Sequence, residues 1–309
     1  MNKVIIDTDI GVDDALAIAY ASHHCDIVGI TTVFGNVTVQ QAVKNAKLFT
    51  EILGINTPIY RGLSRPLAID PTPVNKTVHG EDGLGGVFNN HHNDDAEDAI
   101  RFIIDTIMAN PGEITLIPIG PLTNIAAALS QEPRIAECVK QVIIMGGAFG
   151  TDGNQGNVTP LSEFNIWKDP HAADQVLSSQ MPITMVPLDV THRVLVTGDE
   201  IRKMGHQELI AMTEGYLKYS LEKEKFEGMA VHDALTISYL LLPDAFTIER
   251  APLRVVTEGF ATGLTLKKVT ELGSRANPFS ESRIQNVCIN VDSDRVKKHL
   301  LTTLQTYKD

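Results

Sequence analysis

The sequence predicts an α/β protein: one domain with a mostly parallel central sheet flanked by helices, Rossmann-like in its layering. Three observations predict it. Short apolar runs alternate with helical patterns along the chain, the βαβ rhythm that builds parallel sheets. Hydrophobic residues make up 43% of the 309 residues but aromatics only 6%, which implies the aliphatic core that strands covered on both faces prefer. No internal repeat, low-complexity tract or linker divides the chain, so residues 1–309 read as a single domain.

Val4 to Ile6 is the first strand, ending at Asp7. A helix starts near Asp13 and carries Ala15, Leu16, Ile18, Ala19 and Tyr20. Ile27 to Val33 is the second strand and Val39 to Leu53 the next helix, with Ala42, Ala46, Phe49 and Leu53 on one face. The rhythm then breaks. Arg61 to Asp95 is rich in Pro, Gly, Asn and His, and irregular stretches of that length inside compact domains are usually functional. Regular structure resumes with a helix near Ala96 to Ala109, a strand Ile114 to Ile119, a helix after Pro121 through Leu129, and a buried strand Gln141 to Met145. A glycine-rich loop, Gly146 to Gly156, precedes a helix near Pro170 and a strand Ile183 to Val186. Asp199 to Leu242 reads as mainly helical, Arg254 to Val291 as mixed strands, and Ser293 to Leu304 as a closing helix. Residues 61–95 and about 200–231 are candidate lid elements.

The formal net charge is -12, from 26 basic and 38 acidic side chains. That balance repels phosphate backbones and no Lys/Arg cluster offsets it, so nucleic acid is not an expected partner. Cys25, Cys138 and Cys288 lie far apart without CxxC or Cys/His metal spacing, which indicates reduced structural thiols. Met1-Asn2-Lys3 runs directly into Val4-Ile5-Ile6 with no signal-type apolar stretch, and no apolar run is long enough to span a bilayer. The expectation is a cytoplasmic protein with no membrane partner.

Chemistry concentrates in Asp7-Thr8-Asp9-Ile10-Gly11-Val12-Asp13-Asp14. Asp7 and Asp9 fall where the first strand ends, Asp13 and Asp14 where the helix begins, and ligands collect beyond the carboxyl ends of strands in open parallel sheets. Gly11 permits a tight turn. Four carboxylates this close repel one another unless a cation or shared protons intervene, and an all-oxygen set suits Ca²⁺ or Mg²⁺ rather than zinc. Helix capping by Asp13 accounts for one or two of the acids, not for four on one strand-to-helix turn.

The stretch Asp7 to Ala15 resembles the signature of the inosine-uridine-preferring nucleoside hydrolases, and five further stretches follow in the expected order. These are Val33 to Val37, Gly120 to Asn124, Met145 to Ala148, Gly156 to Pro170 with Glu163-Phe164-Asn165 inside it, and Val231-His232-Asp233-Ala234. The resemblance spans nearly the whole chain and implies the nucleoside hydrolase fold, acting on a small-molecule ribonucleoside as a homodimer or homotetramer. It implies one Ca²⁺ per subunit, held by Asp9, Asp14, Asp233 and the main-chain carbonyl of Ile119. It also implies Asp9 as general base, Asp13 on the 2′-hydroxyl, and Asn36, Asn157, Glu163 and Asn165 on the ribose. Asp7 supports the loop from behind. Phe164 and Met145 line the sugar, while His232 and His79 face the departing base, with His232 the leading candidate to protonate it. Most of the 10 histidines, including His23-His24 and His91-His92, read as surface residues.

Two other readings compete. A magnesium-dependent phosphatase would use an aspartate of Asp7-Thr8-Asp9 as covalent phosphoryl acceptor and would need a lysine nearby. A non-catalytic nucleoside- or ribose-binding protein would keep the site without turnover. Base preference among inosine, uridine, cytidine and adenosine stays open, because it depends on lid residues.

Overall fold

A computed structural model describes residues 1–74, 76–153, 155–268, 277–280 and 282–306. Its strands are β1 (Asn2–Thr8), β2 (Cys25–Thr32), β3 (Ile59–Arg61), β4 (Glu97–Asp98), β5 (Ile114–Pro118), β6 (Gln141–Met145), β7 (Ile183–Val186), β8 (Leu195–Val196), β9 (Met229–Ala230), β10 (Phe246–Val255), β11 (Thr265–Lys267) and β12 (Ile284–Val291). The α-helices are α1 (Val12–His24), α2 (Val39–Ile52), α3 (Lys76–His79), α4 (Ala99–Ala109), α5 (Thr123–Gln131), α6 (Ile135–Cys138), α7 (Phe164–Lys168), α8 (Pro170–Leu177), α9 (Leu188–Thr191), α10 (Gly198–Arg202), α11 (Gln207–Tyr219), α12 (Ala234–Leu241) and α13 (Ser293–Leu304).

Ten strands form one sheet in the order β11-β10-β12-β7-β6-β5-β1-β2-β3-β4, parallel from β12 through β4 and antiparallel at the β12-β10-β11 end. Alternation along β1 splits the core between the two faces of the sheet. Val4 and Ile6 pack with Leu16, Tyr20 and Phe49, while Ile5 packs on the opposite face with Ile103, Leu116 and Ile144. β1 is central, with β2 on one side and β5 on the other. The chain therefore leaves β1 in one direction and later returns to its other edge. That reversal opens a crevice beyond the carboxyl end of β1, where the aspartates lie.

Several boundaries differ from the sequence reading. β3 and β4 extend the sheet past β2, at the two margins of the stretch read as irregular; three and two residues are too few for a period-2 signal. Tyr60 of β3 stacks on Phe102 of α4 at 3.7 Å between ring centroids, which fixes this edge. α3 is a single helical turn inside the same stretch. β10 begins at Phe246 rather than near Arg254; its first half, Thr247 to Arg250, is largely exposed and carries no apolar alternation. The mixed-strand reading of 254–291 partly falls on residues outside those described. His23 and His24 are half-buried, with His24 packed against His299, rather than free at the surface. All three cysteines are free thiols, and no helix among the described residues is long and apolar enough to cross a membrane.

Candidate active site

The turn after β1 is held by its own side chains. Thr8 Oγ1 donates to Asp14 Oδ1 (2.5 Å) and accepts from Ile10 N (3.0 Å), while Gly11 N donates to Asp14 Oδ2 (2.8 Å). Asp14 is thus the acid that caps α1, at its third residue, and Asp13 is free to face the crevice. Ile10 sits at φ 22°, outside the regions a β-branched residue ordinarily adopts; such strain concentrates at functional turns.

Asp7 points away from the crevice. Its Oδ1 accepts from Thr31 Oγ1 (2.5 Å) and Asn124 Nδ2 (2.7 Å), and Asn124 Oδ1 in turn accepts from Leu63 N (2.9 Å). One carboxylate thereby ties β1, β2, α5 and the start of the 61–95 segment together. Asp9 Oδ2 accepts from Asn36 N (2.6 Å), whereas its buried Oδ1 has no hydrogen-bond partner. That orphan oxygen lies against the end of β5, where a Cβ on Gly120 would be 2.9 Å from it. Carboxylate oxygens of Asp13, Asp14 and Asp233 lie within 4.8 Å of one another. Burial raises Asp9, Asp13 and Asp233 well above the usual carboxylate range, with the neighbouring carboxylates adding to it. Asp14 is raised by burial against the donors from Thr8 and Gly11, and Asp7 is raised by burial to about 7. Without a cation these groups cannot all remain ionised. The all-oxygen donor set and the orphaned Asp9 Oδ1 fit a hard divalent ion.

Above the acids lies a cavity of about 340 Å³, within the range of small-ligand sites. Asp13, Asn36, Ile119 and Asp233 form its floor, with Met145, Asn157, Glu163, Phe164 and Asn165 along one side. Glu163 caps α7, accepting from Asn165 N (2.8 Å), Ile166 N (3.1 Å) and Gly147 N (3.0 Å), so the loop after β6 and the start of α7 share one carboxylate. Asn165 Nδ2 donates to the Ile119 carbonyl (3.0 Å), which keeps a second lone pair. Asn157 Oδ1 accepts from Phe164 N (3.0 Å).

The cavity lining also carries imidazoles and tyrosines. His79 Nδ1 accepts from Val12 N (3.1 Å), and burial lowers the ring's pKa to about 4, so the neutral ring carries its proton on Nε2. Its ring meets Tyr216 edge-on at 5.5 Å. His232, adjacent in sequence to Asp233, does not pair with it; its Nδ1 lies 2.7 Å from Thr191 Oγ1. Burial lowers its pKa well below the usual value, with His192 and His79 adding to the shift. Tyr216, Tyr219 and Glu224 also line the cavity, as do Thr72, Pro73 and Val78 from the 61–95 segment.

Every residue singled out in the sequence as a ligand, sugar contact or base contact lines this cavity, except Asp9 and Asp14, which are buried and outside its lining. The sequence reading passed over Lys168, which is buried in the cavity wall. Its Nζ donates to Thr72 Oγ1 (2.8 Å) and Pro73 O (3.3 Å) and lies 5.1 Å from the Phe164 ring centre. It thus ties α7 to the 61–95 segment. Thr191 was also passed over, because only the fold brings it to His232. Packing makes one position under the acids especially tight: a Cβ on Gly35 would overlap the Asp9 carboxyl. Gly35→Ala is expected to lower kcat at least about 100-fold by displacing Asp9 while the circular dichroism spectrum stays native. Activity within threefold of wild type would contradict this placement.

The family profile described as inosine-uridine preferring nucleoside hydrolase matches residues 4–298. A pyrimidine-specific ribonucleoside hydrolase RihB of Escherichia coli strain SE11 is 38% identical over 303 residues, covering 94% of this chain and 93% of that protein. Among solved structures, the plant nucleoside hydrolase PpNRh1 superposes with a TM-score of 0.93 at 33% identity, covering 99% of both chains. A purine-preferring ribonucleoside hydrolase from Gardnerella vaginalis superposes with a TM-score of 0.89 at 34% identity, covering 99% of this chain and 98% of the other. The chain belongs to the inosine-uridine preferring nucleoside hydrolase family, whose members are N-glycosidases.

Proposed function

We propose that this enzyme carries out calcium-dependent hydrolysis of ribonucleosides to free base and ribose, in nucleoside salvage. The observation that carries the reading is the cluster of buried carboxylates of Asp13, Asp14 and Asp233, with oxygens within 4.8 Å of one another, at a cavity that also presents Asn36, Asn157 and Asn165; the buried Asp9 Oδ1, near enough to feel their charge, has no partner. Asp9, Asp14, Asp233 and the Ile119 carbonyl would hold the calcium. When bound, the ion supplies positive charge that offsets the buried carboxylates, orients the sugar and acidifies water.

The remaining roles belong to the chain itself. Asp9 takes the proton from the attacking water. Asp13 accepts from the 2′-hydroxyl, and Asn36, Asn157, Glu163 and Asn165 supply the mixture of donors and acceptors that ribose hydroxyls need. Cleavage builds oxocarbenium-like positive charge on the sugar, which the carboxylates and the face of Phe164 stabilise; Met145 gives that wall an adaptable surface. His232 assists the departing base. The Thr191 hydroxyl holds its Nδ1 and leaves Nε2 for the base, and His79, whose Nδ1 accepts from Val12 N, keeps its proton on Nε2. The 61–95 segment and residues 200–231 act as lids, since both contribute residues that cover the cavity. The enzyme works in the cytoplasm, consistent with its free thiols, as a homodimer or homotetramer.

The phosphatase reading has a lysine available in Lys168, but that cation is held by Thr72 and Pro73, and Asp7 faces Thr31 and Asn124. The test is reducing-sugar release from inosine, uridine, cytidine and adenosine, beside phosphate release from a generic phosphate ester. Sugar is expected from at least one nucleoside and no phosphate from the ester; a calcium chelator should abolish turnover and added calcium restore it. Binding of ribose with no base released from any of the four would establish the non-catalytic reading instead.

A further inference from the structure

Residues 61–95 are pinned on both sides of the part that borders the cavity. Asn124 Oδ1 accepts from Leu63 N and Asp169 Oδ2 from Leu67 N, each at 2.9 Å. On the far side Val12 N donates to His79 Nδ1 (3.1 Å) and Asn45 Nδ2 to Asp82 O (2.6 Å). Between Leu67 and His79 the chain carries Pro71 and Pro73, which have no backbone N–H to donate to a neighbouring element. Ala68, Asp70, Pro71, Pro73, Lys76 and Thr77 are exposed, yet Thr72 and Pro73 also line the cavity. There they meet Lys168, only 3% exposed, whose Nζ donates to Thr72 Oγ1 (2.8 Å) and Pro73 O (3.3 Å).

Neutral acceptors and the Phe164 ring, 5.1 Å away, surround this ammonium rather than a paired carboxylate. Burial lowers its pKa, against the more distant pull of Asp9. Burying a cation in this way is costly, and an apolar side chain of similar length would fill the space without that cost. Nor does a cation favour a reaction that builds positive charge on a sugar. What the ammonium does supply is two bonds from α7 to the 67–79 stretch, and α7 also carries Phe164 and Asn165 of the cavity lining. We propose that Lys168 is a positioning residue that holds the 67–79 stretch closed over the cavity and so retains the nucleoside once it has entered. The inference rests on the nucleoside reading of this cavity and adds the residue that controls access to it. Hydrogen bonds from a charged donor are strong enough to bias such a cover toward closure, and their loss lets the ligand escape. The effect therefore falls on KM before it falls on the bond-breaking step.

The chain's one tryptophan, Trp167, precedes Lys168 and lines the same cavity, so its fluorescence reports on the cover. The test measures acrylamide quenching of Trp167, and KM for the best nucleoside, in wild type, Lys168→Met, Thr72→Val and the double variant. Lys168→Met is expected to raise the quenching constant at least about twofold and KM at least about tenfold. Its melting temperature is expected to equal or exceed that of wild type, because a buried charge is gone. Thr72→Val leaves Lys168 and α7 in place and is expected to move quenching and KM the same way by less. Lys168→Met already removes both bonds, so the double variant is expected to match it. Quenching and KM at wild-type values in Lys168→Met overturn the inference. Wild-type values in Thr72→Val, or effects that multiply in the double variant, overturn it as well, since the lysine would then act through the packing of α7. If wild-type enzyme cleaves no nucleoside, the proposed function falls, and quenching in the three variants decides this inference separately.

Discussion

Asp9→Ala is expected to lower kcat at least about 1,000-fold, read as reducing-sugar release from the best nucleoside at saturating concentration. Two contributions are lost together: the base that takes the proton from water, for which about 100- to 10,000-fold is ordinary, and part of the negative field around the developing sugar cation. The protein itself should survive the change. Asp9 contributes one hydrogen bond to the fold, from Asn36 N, and its other oxygen has no partner. Removing a buried carboxylate from beside Asp13 and Asp14 relieves repulsion, so the melting temperature of chelator-treated Asp9→Ala is expected to equal or exceed that of chelator-treated wild type. An active site that is a liability to the free protein is the usual consequence of packing charge for catalysis. Activity within tenfold of wild type would remove Asp9 from the role of base, and a lower melting temperature would mean that its carboxylate serves the fold.

Much of this site is legible in the sequence because it is local. Asp7 to Asp14 occupy one strand end and one helix start, and the buried strands Gln141–Met145 and Ile183–Val186 have the same bounds in the structure as in the pattern. What escapes the pattern depends on long-range approach. Thr191 and His232 are 41 residues apart and meet only because α9 and the segment before α12 converge. Lys168 reads as a polar residue in a short helix; only the fold shows it buried against Thr72, 96 residues away. Glu224, which lines the cavity, lies in an ordinary-looking charged run, Glu222-Lys223-Glu224-Lys225, and the π-helical turn Ser220–Glu224 leaves no periodic trace. At the start of α1, Asp14 closes the capping box from the third helical residue and Asp13 lines the cavity, so the competing reading of Asp13 as the cap does not hold.

Asp233→Ala should separate cation binding from the rest of the machinery. Asp233 enters the floor from the far end of the chain, just before α12, and its carboxylate lies within 4.8 Å of those of Asp13 and Asp14. Carboxylate count sets the affinity of oxygen sites for calcium, so losing this one is expected to weaken binding at least about 100-fold, measured by calorimetric titration of chelator-treated protein. Turnover should fall with it, and the rise in melting temperature that calcium gives wild type should shrink by mass action. The same titration on Asp13→Ala decides between two arrangements of the acids. If Asp9 completes the ligand set and Asp13 holds the 2′-hydroxyl, Asp13→Ala keeps calcium affinity within about tenfold while its KM rises. If Asp13 is itself a ligand, as its distance to Asp14 and Asp233 permits, its loss weakens calcium as much as the loss of Asp233. Wild-type calcium affinity in Asp233→Ala would exclude the acidic cluster as the metal site altogether.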